Sequence, residues 1–307
     1  MECLRRHVIL ATSMSRISPA DPADRSDVTT ISVVIPAFNE ETAIRECLGR
    51  WLAQSRPVDE IIVVDNGSTD TTAAIVDDVA RAHPVVRRVE ERQKGTASAR
   101  RRGFDEAESS LIVKSDADSL VSSDWADRVV GFFDSDEGAE YSALSTGLVL
   151  WDAPDVERQR ARLGRQSSAA GGGQESESLN GPNYTLRSGA WDDVCGSLND
   201  FPGIWEDLDL SLALQEAGHR MYLDPRIIVE TSGRRFLNSP WDNRNYVLAG
   251  WRTSRARGRG GFAVYCDPPF RLAMFTLLWL RYRPWDPATR SRRLRRFLEP
   301  LDKRVDP

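Results

Sequence analysis

Histidine and cysteine are scarce: the 307-residue chain has three of the first (His7, His83, His219) and four of the second (Cys3, Cys47, Cys195, Cys266). The cysteines are scattered and form no C-x-x-C pair, which leaves neither a disulfide framework nor a zinc-ligand spacing. They read as reduced thiols of a cytosolic protein. No apolar run approaches the roughly 20 residues that a membrane-spanning helix requires. A net charge of −5 gives no global attraction to nucleic acid, which is therefore not expected as a partner. No G-x-G-x-x-G turn follows the first apolar strand, which argues against a dinucleotide-dependent dehydrogenase. No internal repeat is evident.

What is present is an ordinary globular composition, 40% hydrophobic and 28% charged. The length suits one large α/β domain or two small ones. The charge is uneven. Residues 251–307 hold 14 Lys/Arg against 5 Asp/Glu, an excess of +9, so the rest carries −14. A basic tail on an acidic body favours an anionic contact. Residues 1–30, with only a short apolar run at Val8–Ala11, read as a disordered leader or, because Met14 offers another start, a misassigned one.

From residue 31 onward, β-branched runs alternate with helical patterns. Ile31–Pro36, Glu60–Asp65, Val85–Val89 and Leu111–Val113 are expected strands, followed by Tyr141–Trp151. Ile44, Leu48, Trp51 and Leu52 recur at helical spacing, and Lys94–Ala107 reads as a further helix. This order predicts an α/β fold with a mostly parallel sheet flanked by helices. Ligands of such sheets bind beyond the carboxyl ends of the strands, where Asn39-Glu40, Asp65–Asp70 and Asp116–Asp118 would lie. Residues 154–178, rich in Arg, Gln, Ser and Gly, suggest a mobile loop or linker. A helix is expected from Asp207 to Gly218. The tail from Pro240 reads as helical, broken at Gly258, Gly260, Gly261 and Pro268-Pro269.

Three acidic clusters carry the chemistry. Asp116-Ala-Asp118, directly after a strand, can converge on a hard cation such as Mg²⁺ or Mn²⁺, or simply form a solvated turn. In Asp65-Asn-Gly-Ser-Thr-Asp70 the glycine permits a tight turn, Asp65 faces the cleft, and Asp70 serves a site or only caps a helix. Lys94–Arg100 opens a helix whose N-terminus favours an anion, although Arg100 alone reads as a surface residue. In Trp205-Glu206-Asp207-Leu208-Asp209, the macrodipole accounts for Asp209 as a first-turn acid. Asp207 has the chemistry of a general base.

In order, Val33-Val-Ile-Pro-Ala-Phe-Asn-Glu40, Val64-Asp-Asn-Gly-Ser-Thr-Asp70, Asp116-Ala-Asp118, Gly181-Pro-Asn-Tyr-Thr-Leu-Arg187 and Trp205-Glu-Asp-Leu-Asp-Leu210 closely resemble the family 2 glycosyltransferases over about residues 31 to 232. The resemblance implies a GT-A fold, a Rossmann-like sheet, with a nucleotide-binding half (31–120) and an acceptor half (121–235), followed by a helical basic tail (236–307). It implies that Pro36 and Glu40 line the nucleotide pocket, that Asp65 contacts the base, and that Arg100 approaches the nucleotide. Asp118, with Asp116 nearby, would engage the divalent metal and the ribose–diphosphate. Asp207, beside Glu206, would be the base of an inverting displacement. Asn183 and Arg187 would border donor sugar and acceptor.

Two departures matter. Relatives often carry a metal-ligating histidine after the strand matching Ile227–Glu230, but here the sequence reads Glu230-Thr-Ser-Gly-Arg-Arg235. Arg234 or Arg235 is then expected to grip the diphosphate, a role suited to guanidinium. No Gln-x-x-Arg-Trp motif of processive synthases occurs, so transfer of one sugar is expected. The rival readings are a catalytically silent nucleotide-sugar-binding protein and a sugar-phosphate nucleotidyltransferase, which would want a Gly-rich phosphate loop where Pro-Ala-Phe-Asn-Glu stands. Expected partners are a nucleotide-sugar donor and a lipid-linked, glycan or small-molecule acceptor. The apolar segment Phe270–Leu280 would either pack on the catalytic domain or lie in a membrane interface. In the second case Arg281, Arg283, Arg290, Arg292, Arg293, Arg295 and Arg296 would meet anionic headgroups. The expected location is cytoplasmic, with the inner face of the membrane as its sharper form.

Overall fold

The computed structural model describes residues 28–299 apart from 170, 171, 200 and 202. The leader at residues 1–27 and the end of the tail lie outside these.

Strands β1 (Ile31–Ala37), β2 (Glu60–Asp65), β3 (Val86–Glu90) and β4 (Leu111–Ser115) stand in the order β3-β2-β1-β4, all parallel. Between them run α1 (Ile44–Leu52), α2 (Thr72–Ala82) and α3 (Thr96–Glu106). β1, β2 and β4 are buried on both faces, which is why they read as largely apolar runs, whereas the edge strand β3 (Val86-Arg-Arg-Val-Glu90) is only partly buried. Val33, Ile35, Ile61 and Val63 join the core under α1, while Val34, Ile62, Val64 and Ile112 join the core under α3. Gly103 lets α3 come close to the sheet, since a Cβ there would lie 2.2 Å from Val34 Cγ1 and 2.9 Å from Val64 Cγ2.

Beyond β4 the sheet changes character. The path continues through β8 (Asn183–Arg187), β6 (Ala143–Leu150), β9 (Met221–Thr231) and β5 (Leu120–Val121), with β7 (Gln174–Ser176) beside β9. β8 runs antiparallel to β4, pairing Asn183 with Ser115 and Arg187 with Leu111. The start of β8 therefore meets the end of β4. β9 pairs antiparallel with β5, Glu230 opposite Leu120, which brings the end of β9 beside the Asp116–Asp118 turn. Helices α4 (Trp125–Phe133), α5 (Asp136–Ala139), α7 (Ser188–Val194) and α8 (Glu206–Glu216) complete this half.

Three expectations are corrected. Residues 156–169 are not a loop but a helix, α6 (Val156–Ala169), lying against β6 and β9; its Arg, Gln and Ala residues are good helix formers. The tail forms α9 (Arg244–Ala256) and α10 (Phe262–Tyr282), and α10 runs 21 residues straight through Pro268 and Pro269. Two missing N–H donors are offset by packing on both sides of them. Arg271 pairs with Asp267 and its guanidinium lies 4.1 Å from the Trp205 ring centroid, while Phe275 meets Phe236 and Tyr246. Cys195 is disulfide-bonded rather than a reduced thiol, whereas Cys47 and Cys266 are free. No helix among the described residues is long and apolar enough to cross a membrane.

Candidate active site

At the carboxyl ends of β1 and β2, side chains tie neighbouring loops together. Asn39, at φ 54°, uses Oδ1 to accept from the Thr69 amide at 2.8 Å, and its own amide donates to Ser68 Oγ at 3.0 Å. Asp65 Oδ1 accepts from the Ser68 amide at 2.9 Å. Asp70 accepts from the amides of Thr72 (2.9 Å) and Glu41 (3.2 Å), so its capping role is present. Pro36 sits in β1 past the last residue paired with β4, where its missing N–H leaves that ladder intact.

Buried charges dominate the opposite side. Lys114, near the carboxyl end of β4, is buried and donates to Asp116 Oδ1 and to the Gly181 carbonyl. Asp118 Oδ1 accepts from Thr231 Oγ1 at 2.9 Å, and its Oδ2 lies 3.2 Å from Arg234 Nη2 without a hydrogen bond. Arg234 also pairs with the Glu40 carboxylate. The guanidinium thus spans Glu40 at the end of β1 and Asp118 after β4. Asp152 holds the turn that presents it, accepting from Ser232 Oγ and the Gly233 amide, each at 2.7 Å. Burial pushes the Asp152 carboxyl above its ordinary value, with Asp118 adding to the effect.

Asp207 opens α8. Its Oδ2 lies 2.8 Å from where a Gly181 Cβ would stand, so a side chain at Gly181 would collide with it. Lys114, bound to the Gly181 carbonyl, therefore links Asp116 to the neighbourhood of Asp207. Desolvation first, and then the Glu206 charge, raise the Asp207 carboxyl to about 6, against the opposing pull of Lys114. Such a group is a base near neutral pH. Arg100 is buried, not a surface residue, and donates to the Glu206 carbonyl at 2.5 Å, so it supports the start of α8. Asn183 is buried, accepts from Thr146 Oγ1 at 3.3 Å, and leaves its Nδ2 without a partner.

Two expected residues lie elsewhere. Arg187 sits at the far end of β8 and donates to the carbonyls of Tyr141, Phe133 and Gly138. Arg235 turns from Arg234 and lies 4.0 Å over the Tyr246 ring. Sequence reading missed Lys114, Asp152 and Thr231. A lysine inside an otherwise apolar strand was the available signal for Lys114; Asp152 and Thr231 had none. The tail belongs to this neighbourhood. Buried Asp209 accepts from Asn199 and, at 2.7 Å, from Arg257 Nε. At the other end of α10, Tyr282 Cε1 lies 2.7 Å from where a Gly233 Cβ would stand.

A Rossmann-like sheet with carboxylates gathered where its direction changes defines a nucleotide-binding α/β protein of the GT-A type. Residues 32–146 match the model of glycosyl transferase family 2. Glycosyltransferase AglE of Haloferax volcanii is 32% identical over 108 residues, 34% of this chain and 36% of its own. An undecaprenyl-phosphate 4-deoxy-4-formamido-L-arabinose transferase of Proteus mirabilis is 32% identical over 96 residues, 30% of this chain and 29% of its own. The match thus spans about a third of these relatives. Among solved structures, a mannosyltransferase (PcManGT) from Pyrobaculum calidifontis in complex with GDP-Man and Mn²⁺ superposes with a TM-score of 0.57 at 19% identity, covering 81% of this chain and 72% of that one. S. aureus TarS 1-349 in complex with UDP-GlcNAc gives 0.54 at 16% identity, covering 83% and 72%. These likenesses carry the GT-A fold.

Proposed function

We propose that the chain transfers one sugar from a nucleotide-sugar donor to an acceptor hydroxyl with inversion. The carrying observation is the half-buried Asp207, held near neutral titration beside the Gly181–Lys114–Asp116 link. The acceptor hydroxyl gives its proton to Asp207 as its oxygen forms the new bond to the anomeric carbon. The anomeric C–O bond to the diphosphate breaks on the opposite face, and the electron pair leaves with the nucleotide. Arg234 stands near enough to Asp118 to meet the charge that develops there. Arg100 keeps the base oriented through the Glu206 carbonyl.

Asp118 and Asp116 fit a divalent ion, Mg²⁺ or Mn²⁺, as a two-carboxylate platform, because buried Asp118 Oδ2 accepts no hydrogen bond. Among the described residues no third His, Cys, Asp or Glu completes a cluster, so the remaining ligands would come from the diphosphate. Bound there, such an ion neutralises diphosphate charge. Glu40, Pro36 and Asp65 would line the nucleotide pocket. Asn183 Nδ2, buried and unpartnered, offers a donor to the sugar or a phosphate oxygen. Arg235, stacked on Tyr246, is less suited than Arg234 to the diphosphate.

The donors in the similar structures and the lipid phosphate in the Proteus relative's name support a nucleotide-sugar donor and a lipid-linked acceptor, with glycans and small molecules as alternatives. The test is a panel of nucleotide sugars with Mn²⁺ or EDTA, read by nucleotide release and by the anomeric configuration of the product. Transfer with inversion is expected. Retention would overturn the single displacement, and binding without turnover would favour the silent-protein reading.

A further inference from the structure

Helix α10 has two faces. Its inner face, Asp267, Arg271, Phe275 and Tyr282, reaches both loops of the candidate site. Arg271 stacks on Trp205, just before Glu206-Asp207, and Tyr282 lies under Gly233, just before Arg234. The outer face is a stripe at helical spacing: Phe262, Tyr265, Pro269, Leu272, Thr276 and Leu280, flanked by Phe270 and Leu277. Phe262 is 86% exposed, Phe270 69% and Leu277 68%. Leu294 and Leu298 are exposed in the short segment that follows. A soluble surface rarely concentrates large apolar side chains in this way without a contact for them.

The charges choose the occupant. Residues 259–299 contain nine arginines and three acids. Each acid is occupied, Asp267 by Arg271, Asp286 by Arg293 and Arg296, and Glu299 by Arg295. Arg281 pairs with Asp155, and Arg283 donates to the carbonyls of Phe297 and Glu299. Of the seven tail arginines expected to meet headgroups, five are therefore held by the protein. The exposed charges between 259 and 299 are all arginine: Arg259, Arg290, Arg292 and Arg295. Exposed apolar side chains in a segment whose exposed charges are all cationic suit a surface that offers hydrocarbon beneath anionic headgroups. With its other face packed on the protein, the helix would lie in such a surface rather than cross it.

We infer that the outer face of α10 is a docking surface for an anionic lipid bilayer, held mainly by its apolar stripe. The inner face gives docking a route to the loops carrying Asp207 and Arg234. The inference does not rest on the proposed reaction.

The test is sedimentation of the full chain with vesicles of phosphatidylcholine alone or mixed with phosphatidylglycerol, at low and high salt. A Phe270→Asp/Leu277→Asp variant is run in parallel, with thermal unfolding to show that it folds. The wild-type chain should sediment with anionic vesicles, weakly with neutral ones, and keep part of its binding at high salt. The variant should lose roughly tenfold or more in partition. Equal partition of variant and wild type overturns the proposal, as does no binding by the wild type. A wild-type dimer in analytical ultracentrifugation that the variant splits, with no vesicle binding, would make the face a contact between copies and overturn it too. Nucleotide binding by the variant separates failure of docking from failure of the active-site reading.

Discussion

The two walls of the cleft are held by different forces. On the wall at the ends of β1 and β2, loops are stitched by hydrogen bonds between side chains and backbone amides: Asn39 to Thr69, Asp65 to Ser68, Asp70 to Thr72. On the other wall, largely buried charges pair, Arg234 with Glu40 and Asp118 and Lys114 with Asp116, and the half-buried Asp207 has its pKa raised. The first kind loses about one hydrogen bond's worth of stability when a partner is removed. The second leaves an uncompensated buried charge.

The largest expected effect is on turnover, at Asp207. Asp207→Asn keeps the shape and removes the proton acceptor, so turnover should fall by roughly 10²–10⁴-fold with donor affinity little changed. Steady-state kinetics and donor titration check this. Loss of donor binding instead would move Asp207 from the acceptor side to the donor side.

Arg234 tests the electrostatic wall directly. Arg234→Met leaves Glu40 and Asp118 facing each other without their cation, which should cost about 3 kcal/mol of unfolding free energy. Adding Glu40→Gln should recover part of the loss, a non-additivity readable in a double-mutant cycle. A cost below about 1 kcal/mol for the single change would mean that water already screens the pair, and the contrast between the walls would fail.

The contrast also explains what the sequence could tell. The first wall was legible because strand, turn and cap follow one another along the chain. Asp65 bonds an amide three residues away, and Asp70 one two residues away. On the second wall, Arg234 meets Glu40 across 194 residues and Thr231 meets Asp118 across 113. Motif resemblance flagged Asp118 and Asp207, and a missing histidine drew notice to Arg234. Nothing local pointed to Asp152 or to the end of α10 as supports of the Arg234 turn. Pro268-Pro269 suggested a break that packing on Trp205, Phe236 and Tyr246 overrides. Arg187 lies away from the site because β8 runs antiparallel to β4, which puts Asn183 beside the end of β4 and Arg187 beside its start.

The smallest effect separates the walls by sign. Asp207 titrates at about 6 in the folded chain against an ordinary 3.8. Its folded pKa is raised, so the stability it contributes is complete below 3.8 and is lost as pH rises through about 6. Asp207→Asn should therefore raise stability at pH 7, by about 3 kcal/mol at most and less to the extent that water reaches the carboxylate. Asp70 goes the other way. Against the desolvation that would raise it, bonds from the Thr72 hydroxyl and amide and the Glu41 amide hold its carboxyl below 3.8. Its contribution is present above 3.8 and is lost as pH falls through the lowered value. Asp70→Asn should thus lower stability at pH 7, by about 0.5 kcal/mol because asparagine caps nearly as well. The difference should shrink as pH falls below 3.8 and through the lowered value. Urea unfolding of both variants from pH 3 to pH 8 checks this: the curve for Asp207→Asn should lie above wild type at neutral pH and that for Asp70→Asn slightly below. Two curves displaced in the same direction would mean that the walls do not differ in how they hold their carboxylates.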